Sequence, residues 1–454
     1  MAYSILKSYK LNSGSRDIFS VLNRRRHCFF LDTGLAADHS LGRYSFLGAD
    51  PFYLLRADGR EALVKLRELL RLYKMPVDKS APPFLGGAVG FLSYDLGFSL
   101  EETVKPRPKD GLGIPDCFFG FYNSVIIIDH LKSILYVSCL GFPEKKYAAA
   151  KSLAGNNFKK IHRLLALVEN HKSGSEKNSL KARGLSSDFT KFEYLSAVRK
   201  AKVYIRKGDI YQVNLSQRFE ATVNAEASDI YRRLRKTCPT YFSAYFDAGN
   251  YQIISASPER FLKLEAGLVS TRPMKGTRPR SANRLVDQRL RRQLLVAKKD
   301  QAELMMIVDL ERNDLGRACV YDSVKVEKLR QIEAYATVYQ ATATIRGRLG
   351  QGKDMVDLLR ACFPGGSITG CPKIRAMEII EELEPGRRGI YTGALGYLSF
   401  SGNMDMNILI RTILKMRDKI YFHTGGGIVA DSKPEEEYRE TLVKAKAMLK
   451  ALNL

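Results

Sequence analysis

The sequence predicts an α+β protein in which runs of strands are interrupted by single helices. Segments rich in β-branched and aromatic residues cluster at 42–57, 120–140, 241–273 and 390–425. Helical patterns fall singly between these clusters instead of alternating strictly with strands, which favours packed layers over a βαβ sheet. The chain has 454 residues, 45% hydrophobic and 27% charged, enough for a large core. It contains no run of about 18 apolar residues that would suit a membrane span.

Each element follows from local pattern. GRYSFLG (42–48), FYLLRA (52–57), GFYNSVIIID (120–129) and SILYVSCL (133–140) read as strands, and EALVKLRELLRLY (61–73) as an amphipathic helix. HKSGSEKNSLKARGLSSD (171–188) has little to bury and reads as a linker. Thr190 and Glu193 have capping-box spacing ahead of a helix that runs to Gly208, and YQVNLSQRFEATV follows as a strand. Strands are expected around 241–273, a long helix over 284–312, and further strands at 335–349 and 390–425. Helices near 353–362 and 373–384 flank the loop PGGSITG (364–370). A last helix begins at Pro434 behind a Ser432 and Glu435 capping box. Three regions result: a strand-rich 1–145, a basic helix and linker at 146–188, and 189–454.

The net charge is +25, which raises nucleic acid as a partner. The surplus is local. Residues 145–207 hold 16 Lys and Arg against 4 acids, and residues 271–299 hold 10 against 1, so the remaining 362 residues carry only +4. Neither patch interleaves aromatic residues with the cations, and no zinc-finger, RNP or P-loop spacing occurs, so solvated charge is favoured over nucleic-acid binding. The N-terminus lacks the apolar stretch of a signal peptide, and seven scattered cysteines show no CxxC. A reducing, cytoplasmic compartment is expected.

Several constellations offer chemistry. On the last helix Glu437, Glu440 and Lys444 share one face, as a cation site or as a solvated stripe. Asp300 and Glu303 repeat the i,i+3 spacing beside the apolar run LMMIVDL, where carboxylates need a partner. Lys275, in TRPMKGTRPR, is either a loop charge or a confined amine that desolvation makes nucleophilic. Glu259, in SASPERF, is a general acid or base, or an ion-pair partner of Arg260. The glycine-rich PGGSITG and HTGGGIVAD (423–431) offer backbone N–H groups to anions, and Arg411 a fork for a carboxylate. No Ser-His-Asp set and no zinc spacing emerge. These residues describe a metal-using enzyme for an anionic small molecule.

SPERF, TRPMKGT, AELMMIVDLERNDLGR, FPGGSITGCPKIRAMEII, GALGYLSFSGNMDMNILIRT and GGGIVADSKPEEEYRET stand in that order. They resemble the chorismate-utilising enzymes, and among them the aminodeoxychorismate branch. The resemblance covers essentially the whole chain and is strongest over 190–452. It implies two β-sheets packed together and surrounded by helices. The anthranilate sibling has PIAGT where this chain has PMKGT. By resemblance Lys275 is the nucleophile that adds to the chorismate ring at C2 as the C4 hydroxyl leaves, and Glu259 is the acid assisting that departure. Ammonia then enters at C4 and expels the lysine, giving 4-amino-4-deoxychorismate on the branch toward 4-aminobenzoate and folate.

The same resemblance assigns Mg²⁺ to Glu303 and Glu440, with Asp300 and Glu437 reaching it through water. It places Thr277, Tyr391, Arg411, Thr424, Gly425, Gly426, Gly427 and Lys444 around the substrate carboxylates. Gln212 stands where isochorismate and salicylate synthases carry a water-activating lysine, and Gln340 where relatives usually have a histidine, which removes a proton shuttle but keeps a hydrogen-bonding side chain. FLDTG replaces the LLES associated with tryptophan feedback, so none is expected. Nothing resembles a glutamine amidotransferase, so ammonia is expected from a separate glutaminase subunit. The alternatives are an anthranilate synthase component I and, in another class, a basic nucleic-acid-binding protein.

Overall fold

In the computed structural model, which describes residues 3–35, 41–101, 103–106, 111–170, 180–335 and 338–454, two antiparallel sheets lie face to face between layers of helix. The first sheet has twelve strands, in the order Ser4–Lys10, Ile134–Leu140, Ser124–Asp129, Tyr44–Gly48, Phe29–Asp32, Phe242–Asp247, Gln252–Ser257, Thr412–Met416, Lys419–Ile428, Gln212–Val223 and Gly370–Cys371, with Ala182–Ser187 also paired to Gln212–Val223. The second has ten: Met274–Pro279, Val338–Arg348, Leu268–Arg272, Arg260–Glu265, Met404–Ile408, Ala394–Ser399, Gly87–Leu92, Cys117–Tyr122 and Tyr53–Ala57, with Lys325–Ala334 paired to Val338–Arg348. N-terminal and C-terminal segments contribute to both sheets.

Why such apolar strands form is clear from where their alternate residues go. In SVIIID, Val125 and Ile127 enter the core between the sheets, while Ile126 and Ile128 enter the core beneath the helices Ser15–Leu22, Ala227–Thr237 and Pro434–Leu452. In GAVGFL, Val89 and Phe91 face the first sheet, and Ala88 and Leu92 pack toward the helices Glu61–Leu72 and Met355–Cys362. A strand covered on both faces has no solvated side to show as polar alternation. The inter-sheet core is aromatic: Phe246 has its ring centroid 5.8 Å from Phe118 and 6.4 Å from Phe91, both edge-on.

The predicted α+β class of two packed sheets with surrounding helices is what the structure has, and several local expectations change. The linker reading fails over Ala182–Ser187, which forms an edge strand, and residues 171–179 lie outside those described. The long helix at 284–312 is two, Arg284–Val296 and Lys298–Gly316, separated at the extended Ala297. The Arg330 guanidinium donates to the carbonyls of Leu294 and Ala297, satisfying the first helix's end from 33 to 36 residues away, a stop signal no local pattern contains. Lys325–Ala334 is a further strand, beyond those the sequence pattern predicts. The Thr190 capping box forms, with Glu193 N–H donating to Thr190 Oγ1 at 3.2 Å and Thr190 N–H to Glu193 Oε2 at 2.8 Å. The Ser432 box does not: the N-cap is Lys433, and Ser432 Oγ accepts from the Val429 N–H at 3.0 Å, closing the preceding turn instead. Among the described residues no helix is long and apolar enough to cross a membrane.

Phe246 is fully buried. Phe246→Ala should cost about 3–5 kcal/mol in urea melts, whereas Leu285→Ala, at a residue 76% exposed, should stay within about 0.5 kcal/mol.

Candidate active site

The site gathers around the edge strand Met274–Pro279, which packs against the helix Lys298–Gly316 and whose Lys275 feels the charges of Glu440 and Lys444 on the helix Pro434–Leu452. Pairing with Val338–Arg348 sets Lys275 opposite Ala341 and Thr277 opposite Gln340, with an irregularity between them. Gly276 makes that bulge, at φ +78°, and a Cβ there would lie 2.9 Å from both Asp300 Cγ and Leu294 Cδ1. Only glycine lets the strand kink this close to the helix. The Lys275 amine then donates to the Ser367 carbonyl at 3.0 Å, within the PGGSITG loop.

Electrostatics bind the rest to this amine. Burial pushes the Lys275 amine below the ordinary lysine value and Lys444 adds to that, while Glu303, Glu259 and Glu440 oppose it. Glu259, 3% exposed, is raised to about 7, chiefly by burial, with the Lys275 charge pulling it partly back. Glu303 is raised by burial, with Asp300 and Glu440 adding like-charge repulsion against Lys275 and Lys299. Glu437 is likewise raised, by burial and by Glu440. Burial works to raise Glu440 too, yet Lys444 at 2.7 Å, with Lys275 and Lys299, carries it below the usual carboxylate range. Lys444 also donates to the Gly425 carbonyl at 2.9 Å.

A Cβ on Gly426 would sit 3.3 Å from Glu440 Oε1 and 3.4 Å from Glu437 Oε2, so the bare backbone there gives both carboxylates room. A Cβ on Gly427 would lie 3.1 Å from Gln212 Nε2, and one on Gly425 would lie 3.0 Å from Asn214 Oδ1. Asp300 forms an ion pair with Arg278 at 3.0 Å, a closer commitment than the water-bridged role expected of it. Among the described residues no three His, Cys, Asp or Glu side chains converge on one point. Mg²⁺ asks for less, since it keeps waters and takes one or two carboxylates directly. The hard oxygen donors of Glu437, Glu440 and Glu303, crowded by like charge, fit that requirement.

Several buried polar atoms in this region have no partner within the protein: Gln212 Nε2 and Oε1, Asn214 Oδ1, Glu259 Oε1, Gln340 Oε1, Ser367 Oγ and Thr424 Oγ1. Each such atom costs about 1–3 kcal/mol, and so many on neighbouring segments mark a place built to receive a polar ligand. Ser367 and Asn214 were not singled out by the sequence. Ser367 lies in a loop read for its glycines, and Asn214 is two residues along the strand from Gln212 with the same outlook.

Tyr391 is buried with its ring stacked on His423 at 4.9 Å, and Arg411, at φ +50°, donates to Cys238 Sγ at 3.4 Å. Thr277 is exposed. A cavity of about 360 Å³ beside Tyr391 is lined by Asp95, Phe98, Arg387, Tyr421 and His423 among others, and not by Lys275 or Glu259.

The sequence profile of the chorismate binding enzymes matches residues 27–450. The chain belongs to the chorismate binding enzyme family. Anthranilate synthase component 1 of Aquifex aeolicus is 38% identical over 437 residues, covering 91% of this chain and 87% of the relative. Aminodeoxychorismate synthase component 1 of Escherichia coli is 37% identical over 450 residues, covering 96% and 95%. Among solved structures, anthranilate synthase component I from Streptococcus pneumoniae superposes with a TM-score of 0.79 at 34% identity, covering 89% of this chain and 92% of that one. The menaquinone-specific isochorismate synthase from Escherichia coli shares the fold, with a TM-score of 0.76 at 16% identity, covering 100% and 95%. This member of the chorismate binding enzymes thus stands at similar distance from relatives of two names.

Because folding raises Glu259 from its ordinary 4.5 to about 7, the native state holds that proton more tightly than the unfolded chain. The resulting stabilisation is complete below about pH 4.5 and is lost as pH rises through 7. Glu259→Gln, neutral and of the same shape, should therefore gain stability relative to the parent between pH 5 and pH 8.5, by up to about 3 kcal/mol. Thermal melts at the two pH values check this, and an equal difference at both would contradict it.

Proposed function

We propose that the protein is the chorismate-aminating component of aminodeoxychorismate synthase, forming 4-amino-4-deoxychorismate from chorismate and ammonia supplied by a separate glutamine amidotransferase subunit. The observation that carries this reading is the Lys275 amine, its pKa depressed by burial, held on the Ser367 carbonyl at 3.0 Å with Glu259 beside it. The anthranilate pattern places Ala at this position and has no such nucleophile.

In this reading the neutral Lys275 nitrogen bonds to C2, the ring double bonds shift, and the C4–O bond breaks with the Glu259 proton, so that water leaves. Glu303 and Glu440, with Glu437 alongside, would hold a Mg²⁺, which would supply positive charge to the substrate's ring carboxylate. Lys444, now shared between Glu440 and the Gly425 carbonyl, turns to the substrate, and the Gly425–Gly427 backbone and the Gln212 and Thr424 side chains take up its polar edge. Ammonia bonds to C4, the double bonds shift back, and the C2–N bond to Lys275 breaks. Lys275 leaves as the amine, and the proton shed by the new ammonium returns to the Glu259 carboxylate. Gln212 in place of a lysine leaves no basic group to activate water at C2, which supports amination over hydroxylation.

Anthranilate formation is the second reading, favoured by the similar identity to relatives of that name. Incubation with chorismate, Mg²⁺ and ammonium, followed by chromatography, separates the two: aminodeoxychorismate as main product supports the proposal, and anthranilate as main product overturns it. Lys275→Ala should lower kcat by about 10²–10⁴-fold, the range expected when a covalent route is lost and direct amination remains. Glu259 must be protonated to donate, so kcat should fall as pH rises through about 7. In Glu259→Gln that limb should vanish along with about 10²-fold or more of the rate.

A further inference from the structure

We propose that Arg388 is a positioning residue of the site: it fixes the Ser367–Ile368 turn that holds the Lys275 amine and seats Tyr391 at the same time. The proposal rests on the reading of Lys275 as the reactive group. Arg388 is 3% exposed and lies beyond the helix Lys373–Leu383. All five of its N–H groups are engaged. Nε donates to Glu384 Oε2 at 2.8 Å and one terminal nitrogen to Glu384 Oε1 at 2.7 Å, a bidentate fork. That same nitrogen donates to the Asn214 carbonyl at 2.9 Å. The other donates to the Ile368 carbonyl at 3.1 Å and to Thr392 Oγ1 at 3.2 Å.

Each acceptor belongs to a different part of the site. Ile368 follows Ser367, whose carbonyl receives the Lys275 amine. Asn214 lies on the strand that carries Gln212, and Glu384 also accepts from the Ser216 N–H and hydroxyl on that strand, both at 2.8 Å. Thr392 is held at φ +60° and returns its hydroxyl hydrogen to the Tyr391 carbonyl at 2.6 Å. The guanidinium plane lies over Tyr94 at 4.7 Å and Tyr391 at 5.6 Å. One planar group thus locks the loop, the strand and the tyrosine into a single geometry. A buried ion pair of this kind adds little net stability over apolar packing, so its value lies in placement. Lysine, with three donors and no fork, reproduces neither the bidentate pair nor the reach to all four segments.

The test is Arg388→Lys in the full chain, read as consumption of chorismate whichever product forms, so that the outcome is separate from product identity. A fall in kcat of about 100-fold with KM for chorismate within about threefold, in protein with the parent circular dichroism, supports the proposal. An unchanged kcat, or a rise in KM alone, overturns it. Should Arg388→Lys fail to fold, Thr392→Val removes one acceptor and leaves the Glu384 fork intact; it should lower kcat about fivefold at steady KM, and no change overturns the proposal. Hydrogen exchange gives a reading that needs no turnover. Protection should be lost at 366–370 and 391–392 while Ser124–Asp129 keeps its own, and equal protection throughout contradicts the role.

Discussion

The structure is organised around one uncomfortable group, an amine brought out of water beside carboxylates. Desolvation alone disfavours the charged lysine, and the neighbouring Glu303, Glu259 and Glu440 favour it. Their balance leaves an amine below its ordinary pKa without an isolated buried charge, which the protein interior would not tolerate. The surrounding architecture serves that balance. Gly276 kinks the strand so that it can lie against the Asp300 helix. The break at Ala297 starts a new helix whose first turns present Lys299, Asp300 and Glu303. The last helix lays Glu437 and Glu440 over the bare backbone of Gly426.

The carboxylates and lysines of the site are interleaved so that, without substrate, they neutralise one another. Lys444 holds Glu440, Lys299 stands 3.9 Å from Glu303, and Arg278 holds Asp300. In the proposed reading, a dianionic substrate arriving with Mg²⁺ would exchange these pairings for new ones with little change in total charge. Such exchange lowers the desolvation cost of binding, because each buried charge keeps a partner throughout. The unpartnered amide and hydroxyl atoms of Gln212, Asn214, Ser367 and Thr424 complete the polar lining and give it direction.

Much of this arrangement was legible in the residues. The i,i+3 carboxylates beside an apolar run, the lysine between Met and Gly, and the two glycine-rich segments, of which the second is strand to Ile428 and not loop, each stand out on physical grounds, and the order of the longer motifs along the chain carries the family. The strands at 124–129 and 87–92 are buried on both faces, which is why their apolar runs show no alternation. What sequence could not supply came from distant partners. Arg330 ends a helix 33 to 36 residues away, Val429 claims the Ser432 hydroxyl from its helix, and Ala182–Ser187 gains strand structure from Gln212–Val223 despite its polar composition. Ser367 escaped notice because its carbonyl, not its side chain, holds the lysine.

The central claim is that Lys275 bonds to the substrate. Peptide mapping by mass spectrometry after mixing the protein with chorismate and Mg²⁺ in the absence of ammonia tests it most directly. The account predicts a mass increase of chorismate less one water, confined to the peptide containing Lys275 and removed when ammonium is added before quenching. Turnover of chorismate to the aminated product with no such adduct on Lys275 at any time would contradict it.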